Sequence, residues 1–146
     1  MCENKINYSY ITIPIKIDDW NGIQRCFKRL REFYKKEEPL RGHIKKSFEC
    51  VNLIMSKTNA LHDKQIKNKN IPDYLKFDND NVYLLGSECI ILNKIFNKLI
   101  TEIEKDFPSF PNKNSYITTE KELFENYLGN KINLRGNIYV YTKNTI

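Results

Sequence analysis

Two groups of residues in this chain have the types and spacing to do chemistry. The first is cationic. Residues 25–46 carry Arg25, Lys28, Arg29, Arg31, Lys35, Lys36, Arg41, Lys45 and Lys46 against Glu32, Glu37 and Glu38, an excess of six that equals the net charge of the whole protein. The remaining residues balance. Such a concentration can hold a phosphate backbone, with affinity that falls as salt rises. It can equally steer an acidic protein surface into contact. The second group is His43, His62, Asp63 and Asp106. Imidazole and carboxylate are the side chains that hold a divalent metal when water is activated against phosphate.

The cationic group raises three readings. The plainest is a solvated helix face in a chain whose composition is rich in Lys, Asn and Ile. A protein partner with an acidic surface comes next, with Arg25, Arg29, Lys36, Arg41, Lys45 and Lys46 as its electrostatic contacts. RNA or DNA binding through the same patch ranks below it. Phe27, Phe33 and Tyr34 fall on the buried side of the helix that carries the charges, where they cannot stack on bases.

The series His43, His62-Asp63 and Asp106 resembles, in those four residues alone, the HD-domain phosphohydrolases. The resemblance implies a helical metal-dependent phosphohydrolase with those side chains as ligands. The 19 residues between His43 and His62 are short for that pattern. A simpler role for His62 and Asp63 is the end of a helix, where a cation near the last carbonyls is mildly favourable.

Other chemistry finds little support. No Gly-x-Ser-x-Gly elbow occurs, and the five glycines form neither a dinucleotide fingerprint nor a phosphate loop, so no cofactor is assigned. Cys2, Cys26, Cys50 and Cys89 include no Cys-x-x-Cys pair. Cys26, Cys50 and Cys89 sit among apolar residues of helical pattern and read as buried free thiols. Asp73, Asp78 and Asp80 do not follow the calcium-loop spacing.

The elements that must position these residues follow from periodicity. Residues 7–17 alternate, with Ile11, Ile13, Ile15 and Ile17 on one side, which predicts a half-buried strand that Pro14 places at a sheet edge or makes bulge. Asp18 or Asp19 can cap a first helix whose apolar stripe runs Trp20, Ile23, Phe27, Leu30, Phe33 and Tyr34. Past Pro39 a second stripe, Leu40, Ile44, Phe48, Val51, Ile54, Met55 and Leu61, predicts a helix to about His62, antiparallel to the first. Residues 64–81 are polar and read as a long surface loop. Ser87 can cap a third helix to about Phe107, with Ile91, Leu92, Ile95, Phe96, Leu99, Ile100 and Ile103 buried. Thr119 with Glu122 reads as a capping box for a fourth helix that ends at a left-handed Gly129. Residues 131–134 and 137–142 flank Arg135-Gly136, a hairpin predicted to pair with the N-terminal strand. That pairing would gather Tyr8, Tyr10, Tyr139 and Tyr141 on one face. No internal repeat is apparent.

The expectation is a helix-rich α+β single domain over 1–146, long enough to bury a core without disulfide or metal. No apolar run approaches the roughly 20 residues of a membrane span, and the N-terminus lacks a signal-peptide pattern. Both favour a cytoplasmic protein. The function expected is a small non-catalytic protein that occludes or inhibits a protein partner, as a toxin-immunity protein does.

Overall fold

Ile13 and Ile15 point into the core while Thr12 and Lys16 stay exposed, the alternation that builds β1 (Thr12–Lys16). This is a computed structural model, and it describes residues 12–36, 40–67 and 79–129. The predicted hairpin of 131–142, the four tyrosines at its proposed face and most of the 64–81 loop lie outside those residues. The described partner of β1 is β2 (Asn81–Leu85), antiparallel, with Thr12 opposite Leu85 and Lys16 opposite Asn81. The Ile17 N–H donates to the Asp80 carbonyl at 2.9 Å, which sets the ladder phase. Pro14, opposite Tyr83, therefore falls at a non-hydrogen-bonded pair, and its donorless nitrogen faces the other edge.

Each strand runs straight into a helix. β1 leads into α1 (Ile17–Glu32), α2 (Gly42–Lys67) follows, β2 leads into α3 (Gly86–Asp106), and α4 (Lys113–Tyr127) closes the described chain. Asp18 and Asp19 occupy the first turn of α1 without capping it through a side chain, where carboxylates meet the positive end of the helix dipole. In α3 the Glu88 carboxylate accepts from the Leu85 N–H at 2.8 Å, so the helix starts just before Ser87. The helix α4 starts earlier than Thr119, after Asn112 takes a left-handed conformation (φ 56°) behind Pro111. Thr119 and Glu122 are interior residues of that helix, and Gly129 is not left-handed. The helix α2 takes in residues 64–67 of the expected loop.

Aromatic and aliphatic side chains of α1 and of the turn after it form the centre of the core. Trp20, Ile23, Leu30 and Tyr34 are fully buried, and the Phe27 ring stands edge-on to both Phe96 and Phe124. Of the expected apolar stripes, Leu61 and Ile91 instead remain 40% and 38% exposed. The helix α1 runs antiparallel to α2, with Trp20 Nε1 donating to Asn59 at one end and Tyr34 against Phe48 at the other. It is also antiparallel to α4, where Arg29 meets Glu120 and Phe33 meets Tyr116. The pairs His43–Glu102 and Lys57–Glu88 set α2 antiparallel to α3.

A strand–helix–helix order thus occurs twice, contrary to the reading of no internal repeat. β2 and α3 begin 69 residues after β1 and α1 (Asn81 against Thr12, Gly86 against Ile17). At that offset Ile23-Gln24-Arg25-Cys26-Phe27-Lys28-Arg29-Leu30 aligns with Leu92-Asn93-Lys94-Ile95-Phe96-Asn97-Lys98-Leu99. Burial follows the same alignment: Ile13 and Val82, Ile15 and Leu84, Trp20 and Cys89, Phe27 and Phe96 are all core residues. Pro14 faces its own counterpart Tyr83 in the ladder, and Phe27 meets its counterpart Phe96 at 6.0 Å. Both pairs lie where a twofold axis relating the halves would pass. The partners are exchanged accordingly, α1 packing on α4 and α3 on α2.

Candidate functional site

The six cationic residues singled out by charge do not form one wall. Arg29 lies on the flank of α1 that meets α4, where its guanidinium donates to both oxygens of Glu120 at 2.5 and 3.0 Å. The Glu120 side chain is 4% exposed and that of Arg29 38%, so this charge is spent inside the fold. The hydrogen bonds it donates to Glu120 push the arginine further up its range, outweighing the cost of burial. Arg41 pairs with Asp106 at the far end of α3, and Tyr34 Oη donates to the same carboxylate at 2.7 Å. Burial alone would raise the Asp106 carboxyl. The hydrogen bonds from Tyr34 and Arg41 outweigh it and hold the group below its ordinary value.

The other four are exposed, on diverging surfaces. Arg25 lies on the outward ridge of α1, one turn from Lys28, and Lys36 lies in the turn after α1. Lys45 shares a helical row with Phe48 and Asn52, three and seven residues on, which turns it toward α1. Lys46 is rotated from it by about 100° and belongs with Leu53 and Lys57, on the side of α3. The structure therefore brings Arg25 and Lys45 to the outer face of the α1–α2 pair, and removes Arg29, Arg41 and Lys46 from it.

Between α1 and α2 lies a groove of about 230 Å³. Its apolar lining is Phe27, Phe48, Val51 and Met55, and its rim is Gln24, Lys28, Arg31, Glu32 and Asn52. The groove exists because the two helices are tied at their ends. The Trp20 indole donates to Asn59 at 2.8 Å, and the Asn59 amide donates to Gln24 at 2.9 Å. At the other end the Arg31 guanidinium donates to the Tyr34 carbonyl at 2.9 Å and sits 5.8 Å from the centre of the Phe48 ring. Those contacts hold Arg31 on the rim as a positioned cation. Lys28 is exposed beside it and makes no ion pair with a described residue. Glu32 is 3.9 Å from Lys35. Charge counting found the cations of this rim but not the groove, because the apolar side chains that line it resemble any core stripe.

The four residues of the metal pattern do not meet. His43 and His62 lie on one helix, and 19 residues at 1.5 Å each set them about 28 Å apart. The His43 Nε2 is 3.4 Å from Glu102, and Asp106 is bonded to Tyr34 and Arg41. His62 is half-buried, with Nδ1 lacking a hydrogen-bond partner. Geometry thus corrects the HD-type reading. Among the described residues, no group of three His, Cys, Asp or Glu side chains could hold a metal.

The described cysteines are free thiols. Burial, reinforced by Glu120, pushes the Cys26 thiol up to about 12, so it stays protonated at neutral pH and cannot serve as a nucleophile there. None of the described helices is long and apolar enough to cross a membrane. Comparison with known proteins finds no matching family, no curated relative and no solved structure.

Proposed function

We propose that this is a small non-catalytic binding protein that occludes an acidic surface of a protein partner, using the outer face of α1 and α2. The observation that carries the reading is the placement of Arg25, Lys28 and Lys45. All three are exposed on that face, and none makes an ion pair with a described residue. Long-range attraction by such charges accelerates encounter and weakens with salt. A nucleic-acid partner is less well supported because the nearby rings face inward. Phe27 and Tyr34 are core residues, and Phe33 packs on Phe107, Phe110 and Tyr116. Free Cys26 and Cys89 fit a reducing compartment, which supports action in the cytoplasm.

Affinity capture from the native cell, with wild-type protein beside an Arg25→Glu/Lys28→Glu/Lys45→Glu variant, tests this. An acidic protein retained by the wild type, eluted by rising salt and lost from the variant is the expected result. Nucleic acid recovered in its place, or equal capture by both proteins, overturns the reading.

A further inference from the structure

The two halves of the molecule contain equivalent helix seams, and among the described residues they are filled differently. In the second half the counterpart of Met55 is Phe124, whose ring stacks flat on Phe96 at 4.0 Å with an interplanar angle of 2°. That stack fills the space that Phe27 and Met55 leave as a groove. The rim charges are rearranged between the halves. At the 69-residue offset Lys28 and Arg31 correspond to Asn97 and the buried Ile100, Glu32 and Asn52 correspond to Thr101 and Lys121, and Lys45, beside the rim, corresponds to Asn114. Residues 25–46 carry nine cations and three acids. Residues 94–115 carry Lys94, Lys98, Lys105 and Lys113 against Glu102, Glu104 and Asp106, an excess of one. Fold alone therefore does not require an opening at this seam, since in the related half a ring stack fills the equivalent space.

We infer that the α1–α2 groove takes an acidic segment of the partner, with one apolar side chain seated against Phe27 and Met55 and its carboxylates on Lys28 and Lys45. This deepens the protein-partner reading and rests on it. Size selects the occupant: about 230 Å³ falls below the roughly 300–1,000 Å³ of pockets that enclose a drug-sized molecule. Charge selects the chemistry, because Lys28 and the side-chain amides of Gln24 and Asn52 on the rim, with exposed Lys45 beside it, offer donors to a carboxylate and outweigh the one rim acid, Glu32, which Lys35 approaches at 3.9 Å.

The test uses the full chain and fluorescent peptides of mixed Asp and Glu with one central Leu, the same peptide with Gly in that position, and a single-stranded RNA of similar length. The Leu peptide should bind about tenfold more tightly than the Gly peptide. Met55→Phe, which copies the closed half, should remove that advantage. Lys28→Glu/Lys45→Glu should weaken both peptides about tenfold, whereas Lys46→Glu should change neither. If Met55→Phe melts early, Asn52→Trp on the exposed rim covers the mouth without touching the core and should act alike. Equal affinity for the two peptides overturns the inference. Capture of the cellular partner that charge reversal abolishes, but Met55→Phe and Asn52→Trp leave intact, overturns the groove and keeps the partner. RNA bound in preference to both peptides overturns groove and partner together.

Discussion

The two strand–helix–helix halves share a frame and differ in how their helix seams close. In the half beginning at β2, Phe124 stacks on Phe96 and Glu120 reaches across to Arg29. In the half beginning at β1, Met55 replaces the ring and Val51 replaces the carboxylate, and a groove with Lys28, Arg31 and Glu32 on its rim is left. The contrast teaches that charge on α1 has two fates. Arg29 is absorbed by the fold, while Lys28, one residue earlier and about 100° around the helix, is presented to solvent.

The sharpest way to break this comparison is to empty each seam. Phe96→Ala removes a ring stacked on Phe124 and edge-on to Phe27, and should cost about 3–5 kcal/mol in urea unfolding. Phe27→Ala, which borders the open groove, should fall at the lower end of that range. An equal or larger loss at Phe27 would mean that the open seam is as tightly packed as the closed one. Next in size is Glu120→Leu, which strands the Arg29 charge. Removing one partner of a fully buried pair costs about 3–5 kcal/mol. Because Arg29 is 38% exposed, about 2 kcal/mol is expected here, reduced from that range for solvent screening. Arg29→Leu/Glu120→Leu together should recover most of it, and failure to recover would show that the pair is more than an isolated charge couple.

Gly22 gives a smaller effect. A Cβ there would lie 2.4 Å from ring atoms of Tyr127, so Gly22→Ala should destabilise the α1–α4 contact by about 1–2 kcal/mol. Tyr127→Ala in the same chain should remove the clash. Asp106 allows a pH test. Its carboxyl lies below the ordinary value of 3.8, so its contribution is complete above that value and lost as pH falls through the lower folded one. Asp106→Asn should therefore flatten the acid limb of the stability curve, and an unchanged limb would remove the Tyr34–Arg41–Asp106 cluster from the account. The smallest effect belongs to the rim. Lys28→Glu/Lys45→Glu should shift stability by no more than about 0.5 kcal/mol, and a large loss would show that these side chains hold the fold rather than await a partner.

Most of the elements were legible where apolar periodicity ran for several turns, as in α1, α2 and α3. Failures came where the signal was short or locally ambiguous. β2 is five residues joined directly to α3, too short for its alternation to stand out, and the turn residues Asn79-Asp80 before it continue a polar segment rich in the same types. Thr119 and Glu122 imitate a helix start because the true start depends on Asn112, whose left-handed backbone is a conformation that Asn favours but does not dictate. The repeat escaped notice because only Phe27/Phe96 and Leu30/Leu99 are identical between residues 13–34 and 82–103. What is shared is size and burial, which a sequence expresses only loosely.

What the sequence determined by itself is class and inventory: amphipathic stripes that must turn inward, an alternating strand, and a block of cations that no local run of acids balances. Those follow from local periodicity and composition, which act over a few residues. Tertiary structure decided which cations remain available, since the neutralising acids lie far along the chain, Glu120 91 residues from Arg29 and Asp106 65 from Arg41. It also decided that one of two related seams stays open, because whether a Met or a Phe fills a gap depends on the facing helix. Pairing across such distances is a property of packing, and no window along the chain contains it.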